Sequence, residues 1–238
     1  MAKRYYLFGH EPVSGPVIPT DGLNLYYDYG NTSCYPGSGA TVFDLSGNSN
    51  DGALTNTAIY SASDGGRIDL QVYGDTINIP HDATLQPTSG MSVAFFVNIQ
   101  SGVLTGVGCL HNSPNRGWAL LGGTSSAFRA YLAPSATTLK LVNSSSEPTQ
   151  IKQWALLSMR FSPSTFLDAT VNTALGAINT TSIPATSYDN GLDVVIGNRG
   201  DGGSPMIGYL GPIMIYNRAI TDSELTQIFD AFKARYGL

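Results

Sequence analysis

The chain has 238 residues, a net charge of -5, 12% charged side chains, 27 glycines and 13 prolines. Beyond Lys3-Arg4 it has no basic cluster, which excludes the phosphate track that nucleic-acid binding needs. The glycine and proline content describes short strands joined by tight turns, and the low charge implies a Ser/Thr/Asn-rich surface or one covered by partners. No apolar run approaches a membrane span, and the opening MAKRYYLFGHEPV lacks the apolar segment of a secretory signal. The expectation is therefore a soluble product of the cytoplasm, with Cys34 and Cys109 reduced and packed.

Residues 1–20 read as an extended arm, because three prolines between Glu11 and Thr20 block helix and interior strand alike. Its aromatic run, Tyr5, Tyr6, Leu7 and Phe8, serves either a strap across its own domain or a docking element for a neighbouring subunit. From Gly22 onward strands follow one another. Leu23, Leu25 and Tyr27 alternate with Asn24, Tyr26 and Asp28. Asp44, Asn48, Asn50 and Asp51 gather oxygens in a glycine-rich turn, which raises calcium. Their spacing is not that of an EF-hand, and the competing reading is Asx side chains bonding their own backbone. Ile68, Leu70 and Val72 predict a half-buried strand, and Ile77 and Ile79 another that Pro80 ends. Met91, Val93, Phe95, Val97 and Ile99 form the longest alternating run and belong at the sandwich centre. Trp154 is assigned to the core, and further strands are predicted near 106–110, 117–121, 127–132, 138–142, 166–171 and 192–197.

Met206–Tyr216 is apolar almost throughout, with Ile207, Tyr209, Ile213 and Ile215 on one face and Leu210, Met214 and Tyr216 on the other. Thr221-Asp222-Ser223-Glu224 has the spacing of a capping box and should start a helix over about 222–235. Leu225, Ile228, Phe229 and Phe232 supply its apolar stripe, and Gly237 its left-handed end.

Catalytic chemistry is hard to assemble from these residues. The three glutamates are Glu11 in the arm, Glu147 in a loop and Glu224 in the cap, so no strand carries the carboxylate pair of a glycosidase. Asp189 and Asp193 have i,i+4 spacing, but Gly191 between them indicates a turn. Cys109 and His111 lack an orienting carboxylate, and His10, His81 and His111 do not form a metal set. Two loops could hold a ligand. Arg116 beside Trp118 is the cation and indole expected of a saccharide site, against the alternative that Trp118 begins a strand and faces the core. Asn198, Arg199 and Asp201 form the second, an Arg-Gly-Asp match that is read as coincidence in a glycine-rich turn.

The stretches IGNR and GYLGPIMIYNRAITDSEL resemble the end of laminin-G-like, concanavalin A-like domains. GLNLYYDYGN, YPGSG and FDLSGNSNDGAL resemble their opening, above all the versions in tailed-bacteriophage virion proteins. The resemblance covers residues 21–238 and implies an all-β, concanavalin A-like jelly-roll sandwich with an extended N-terminal arm and one short C-terminal helix. It further implies a non-enzymatic virion structural protein, as capsid decoration or another particle-bound component, present in multiple copies among other virion proteins. Such a protein would have no cofactor other than the calcium raised above. The alternative is a lectin-like module for host-surface polysaccharide, using Arg116, Trp118, Asn198, Arg199 and Asp201; a glycoside hydrolase is the weaker third reading.

Overall fold

In the structure, a computed structural model, residues 16–101, 106–109, 114–122, 128–143, 152–174, 178–203 and 205–238 are described. The arm residues Tyr5, Tyr6, Leu7 and Phe8, with His10, Glu11, His111 and Glu147, lie outside them. The first strands are β1 (Leu23–Tyr27), β2 (Thr41–Val42), β3 (Gly52–Thr55), β4 (Ile59–Ser61), β5 (Arg67–Leu70), β6 (Thr76–Ile79), β7 (Met91–Ser101) and β8 (Gly106–Gly108). There follow β9 (Ala119–Gly122), β10 (Phe128–Ser135), β11 (Thr138–Asn143), β12 (Trp154–Ser162), β13 (Phe166–Val171), β14 (Ile178–Asn179), β15 (Val194–Ile196) and β16 (Ile207–Tyr216). The helix α1 (Asp222–Tyr236) ends the chain.

Two antiparallel sheets face each other. The first runs β14-β13-β12-β7-β16-β5-β4, with β1 also paired to β16; the second runs β11-β10-β9-β8-β15-β6-β3-β2. Between them lies one apolar core to which nearly every strand contributes alternate residues: Met91, Val93, Phe95 and Val97 from β7, Ile77 and Ile79 from β6, Val194 and Ile196 from β15. The period-two run of β7 thus sits at the centre of the first sheet, as its alternation predicts. Val72 does not extend β5. That strand ends at Leu70, and Val72 is exposed in the following turn.

β16 is buried on both faces, but its alternation is not continuous. Its register against β7 shifts between Leu210 and Ile213, across Gly211-Pro212. Leu210 therefore joins Ile213 and Ile215 in the central core, while Tyr209 joins Met214 and Tyr216 on the outer face. The extra residue of a β-bulge reverses the side-chain parity beyond it.

The outer face of the first sheet is itself apolar, and α1 covers it. Ala94, Phe96, Trp154, Leu156, Met214 and Tyr216 pack against Leu225, Ile228, Phe232 and Tyr236. The helix begins with the full capping box on Thr221 and Glu224 and ends at Gly237 in the left-handed conformation, φ 66°. Ionic contacts pin both ends. Arg160, itself buried, donates to Asp168 Oδ2 at 2.7 Å, to the Ile220 carbonyl at 3.1 Å and to Asp222 Oδ1 at 2.6 Å. Arg235 donates to Asp28 Oδ1 at 2.6 Å. The Arg218 guanidinium holds the Glu224 carboxyl down at about 2. The described part of the arm lies against the same layer: Ile18 is buried there, Gln227 Nε2 donates to the Val17 carbonyl and the Tyr216 hydroxyl to that of Pro19. Cys34 and Cys109 are free thiols in the core, and burial pushes each up to about 12.

Candidate functional site

The outer face of the second sheet has no helix over it among the described residues. Cross-strand pairing aligns Ala53, Asn78, Val195, Gly108, Ala119, Tyr131 and Leu141 in one row across it. Their neighbours Ile77, Ile79, Val194, Ile196, Val107, Leu120 and Ala130 point the other way, into the core. Midway along this face is a cleft of about 270 Å³, lined by Asn78, Gly191, Leu192, Asp193, Val195 and Gly200.

Its rim is built from side chains far apart in sequence. Asp193, just before β15, accepts from the His81 amide and from Asn78 Nδ2, each at 2.9 Å, and so ties β15 to β6. His81 Nε2 lies 2.9 Å from Asp189 Oδ1, which also accepts from the Gly191 amide. Gly191 has φ +70°, the turn expected between the two aspartates. Gln86, 2% exposed, clamps the loop from below: its Oε1 accepts from the Asn190 amide and its Nε2 donates to the Leu192 carbonyl. Asn190 Nδ2 completes the brace on the carbonyls of Cys109 and Asn115. The rim is thus a hydrogen-bonded frame whose side chains are held in place.

The residues expected to bind distribute unevenly around this frame. Trp118 is 2% exposed, and its Nε1 donates to the Leu85 carbonyl at 3.0 Å. The expectation that it stacks on a sugar is corrected: the indole is core. A side chain on Gly117 would strike Asn190 and Cys109 at 2.7 Å, so the chain runs tight against the rim there as it turns the indole inward. Arg116 is partly exposed, with its amide bonded to the Ala136 carbonyl and its buried Nε without a hydrogen-bond partner. Asn198 is buried. Arg199 Nε donates to Asp201 Oδ1 at 2.5 Å, which also accepts from the Gly203 amide, so the Arg-Gly-Asp tripeptide closes on itself. That loop reaches the cleft through Gly200, while the loop of Arg116 supports the opposite rim through Asn115.

Sequence reasoning missed Asn78, His81, Gln86, Asn190 and, as site residues, Asp189 and Asp193. The one available signal was Asn78, a polar residue in the outward phase of the strand that carries Ile77 and Ile79. The turn of Asp44, Asn48, Asn50 and Asp51 does not fit calcium. Asp44 spends both carboxylate oxygens on Tyr26, Ser46 and Asn50, Asp51 accepts from the Asp44 amide, and Asn50 Nδ2 donates to the Asn24 carbonyl. Those oxygens face amide donors, as the backbone-bonding alternative requires.

The family model described as the concanavalin A-like lectin/glucanases superfamily matches residues 71–226. The chain belongs to that superfamily. This superfamily member is similar in fold to the binding domain of Paraclostridial Mosquitocidal Protein 1, with a TM-score of 0.68 and 14% identity over 90% of this chain and 53% of that one. It is also similar to the receptor binding domain of botulinum neurotoxin D, with a TM-score of 0.68 and 12% identity over 89% of this chain and 53% of that one. The botulinum neurotoxin serotype D ligand binding domain in complex with N-acetylneuraminic acid gives 0.66 and 13%, over 89% and 51%. The chain spans about half the length of these structures, and at such identities the likeness is one of fold. No curated protein matches it in sequence.

Proposed function

We propose that the protein is a non-catalytic carbohydrate-binding module whose ligand lies in the cleft on the outer face of the second sheet. The observation that carries this is the cleft with its hydrogen-bonded rim, on a face with no helix over it among the described residues. A polar recess with a fixed rim suits a hydroxyl-rich ligand, whose many hydrogen bonds demand partners already in place. Membership of a lectin and glucanase superfamily supports the reading, as does the likeness in fold to toxin binding domains, one in complex with a sugar acid. The carboxylates at the rim, Asp189 and Asp193, both bond to His81, which on this reading is a framing role. Glycan-array screening followed by calorimetry tests the proposal. Val195→Tyr, which fills the cleft floor, is expected to abolish binding while leaving the fold intact; absence of any bound glycan in the wild type would refute the reading. Trp118→Ala, by contrast, reports on the core.

The virion reading is a second proposal, carried by the phage-like stretch Phe43-Asp44-Leu45-Ser46-Gly47-Asn48 and its companions. On it the module decorates a particle, docks on other virion proteins through the arm, and presents the cleft outward. Fractionation of purified particles decides it: co-purification in many copies is the expected result, and loss of docking on deletion of residues 1–15 is expected for the arm.

A further inference from the structure

The side chains that line the cleft offer acceptors. Asp193 receives one hydrogen bond on each carboxylate oxygen, and each oxygen has a second lone pair to give. Asn78 commits one of its two amide protons to Asp193 and retains its carbonyl oxygen. Two backbone donors of the lining are already committed, the Gly191 amide to Asp189 and the Leu192 amide to Asn190 Oδ1. Charge points the same way. Asp193 is the charged side chain among the described lining residues, and a second carboxylate, Asp189, sits on the same rim. Arg199, next to the lining residue Gly200, is neutralised by Asp201 at 2.5 Å. An acidic sugar would therefore place a carboxylate against a carboxylate, with no Lys or Arg among the described lining residues to receive it.

We infer that the cleft selects glycans free of acidic groups, reading their hydroxyl donors through Asp193 and Asn78, and discriminates against sialylated and uronic-acid glycans. The inference rests on the carbohydrate-binding reading above and specifies its ligand class. It separates this chain's cleft from one suited to a sugar acid, although the two share a fold with the neurotoxin domain that was solved with N-acetylneuraminic acid.

The experiment is a glycan array of matched oligosaccharide pairs, neutral and sialylated or uronated, followed by calorimetry at low and high salt on the full chain. The expected result is a preference for the neutral member of at least about tenfold, from the cost of opposing like charges, with affinity for that member indifferent to salt. Asp193→Asn exchanges one of the two framing acceptors for a donor, so a modest fall in melting temperature is expected together with a loss of about tenfold or more in affinity for the neutral glycan, whereas Asp189→Asn, which loosens the same rim without lining the cleft, is expected to keep most of that affinity. Equal or tighter binding of the acidic member overturns the inference and leaves carbohydrate binding standing. Unchanged affinity in Asp193→Asn also overturns it, since Asp193 would then not read the ligand. Binding of neither member instead removes the proposed function itself.

Discussion

The two sheets share one core, yet their outer faces were given opposite chemistry. On the first sheet the outward positions are large and apolar: Phe96, Leu156, Met214 and Tyr216. Such a face cannot be left in water, and α1 with residues 16–20 removes it. The corresponding row of the second sheet begins with Ala53, Asn78, Val195 and Gly108, shorter side chains that leave room above them, and turns apolar only toward its far end, where Tyr131 packs on Ala119. One face is buried under a helix, and the other has none over it among the described residues. In a sandwich the inward residues define the fold, whereas the outward ones decide which side can meet a ligand.

The contrast can be broken from its covered side first. Phe232, 1% exposed and 5.3 Å ring to ring from Phe96, is the centre of the helix contact. Phe232→Ala is expected to cost about 4 kcal/mol in urea unfolding, while Val195→Ala on the open face should cost about 1 kcal/mol or less. Equal losses would mean that the faces are not specialised. Next in size is Arg160→Ala, which strands the buried Asp168 carboxylate and is expected to cost about 3 kcal/mol; Asp168→Asn in the same background should recover part of that loss. Smallest is the acid response of the covered face. Glu224 has its carboxyl lowered from 4.5 to about 2 by Arg218, so the stability it lends is fully present above 4.5 and is lost as pH falls toward 2. The expected loss, on the order of 1 kcal/mol after solvent screening, should shrink in Glu224→Gln when unfolding is followed across that pH window.

The readable and unreadable parts of the chain divide along the same line. The capping box of Thr221 and Glu224, the stripe of Leu225, Ile228 and Phe232, and the alternation of β7 all lie within a few residues, where backbone period and side-chain chemistry are coupled directly. Phe229, in the same stripe, proves only partly buried, and Tyr236 takes the next place under the sheet. The bulge at Gly211-Pro212 was hidden, because one extra residue changes parity without changing composition. The cleft was hidden more deeply. Asn78 and Asp193 are 115 residues apart, and Gln86 meets Asn190 across 104; no local pattern encodes such pairs. Trp118 shows the opposite failure. An indole beside a guanidinium suits a sugar, but local chemistry does not say which way the chain faces as it enters β9.

The shifted strand β16 carries one more consequence, for the order in which the molecule can be made. It is hydrogen-bonded to β7 along one edge and to β1 and β5 along the other. As the chain emerges from the ribosome, β1 is among the first strands delivered and β16 is the last, so three earlier strands wait with open edges until residues 207–216 arrive. Every pairing that β16 makes is long-range in sequence, whereas β4 with β5, β12 with β13 and β13 with β14 pair as neighbours along the chain; long-range pairings of this kind form slowly. The first sheet is therefore complete only once β16 is in place, and the capped helix that follows covers the face which that strand joins.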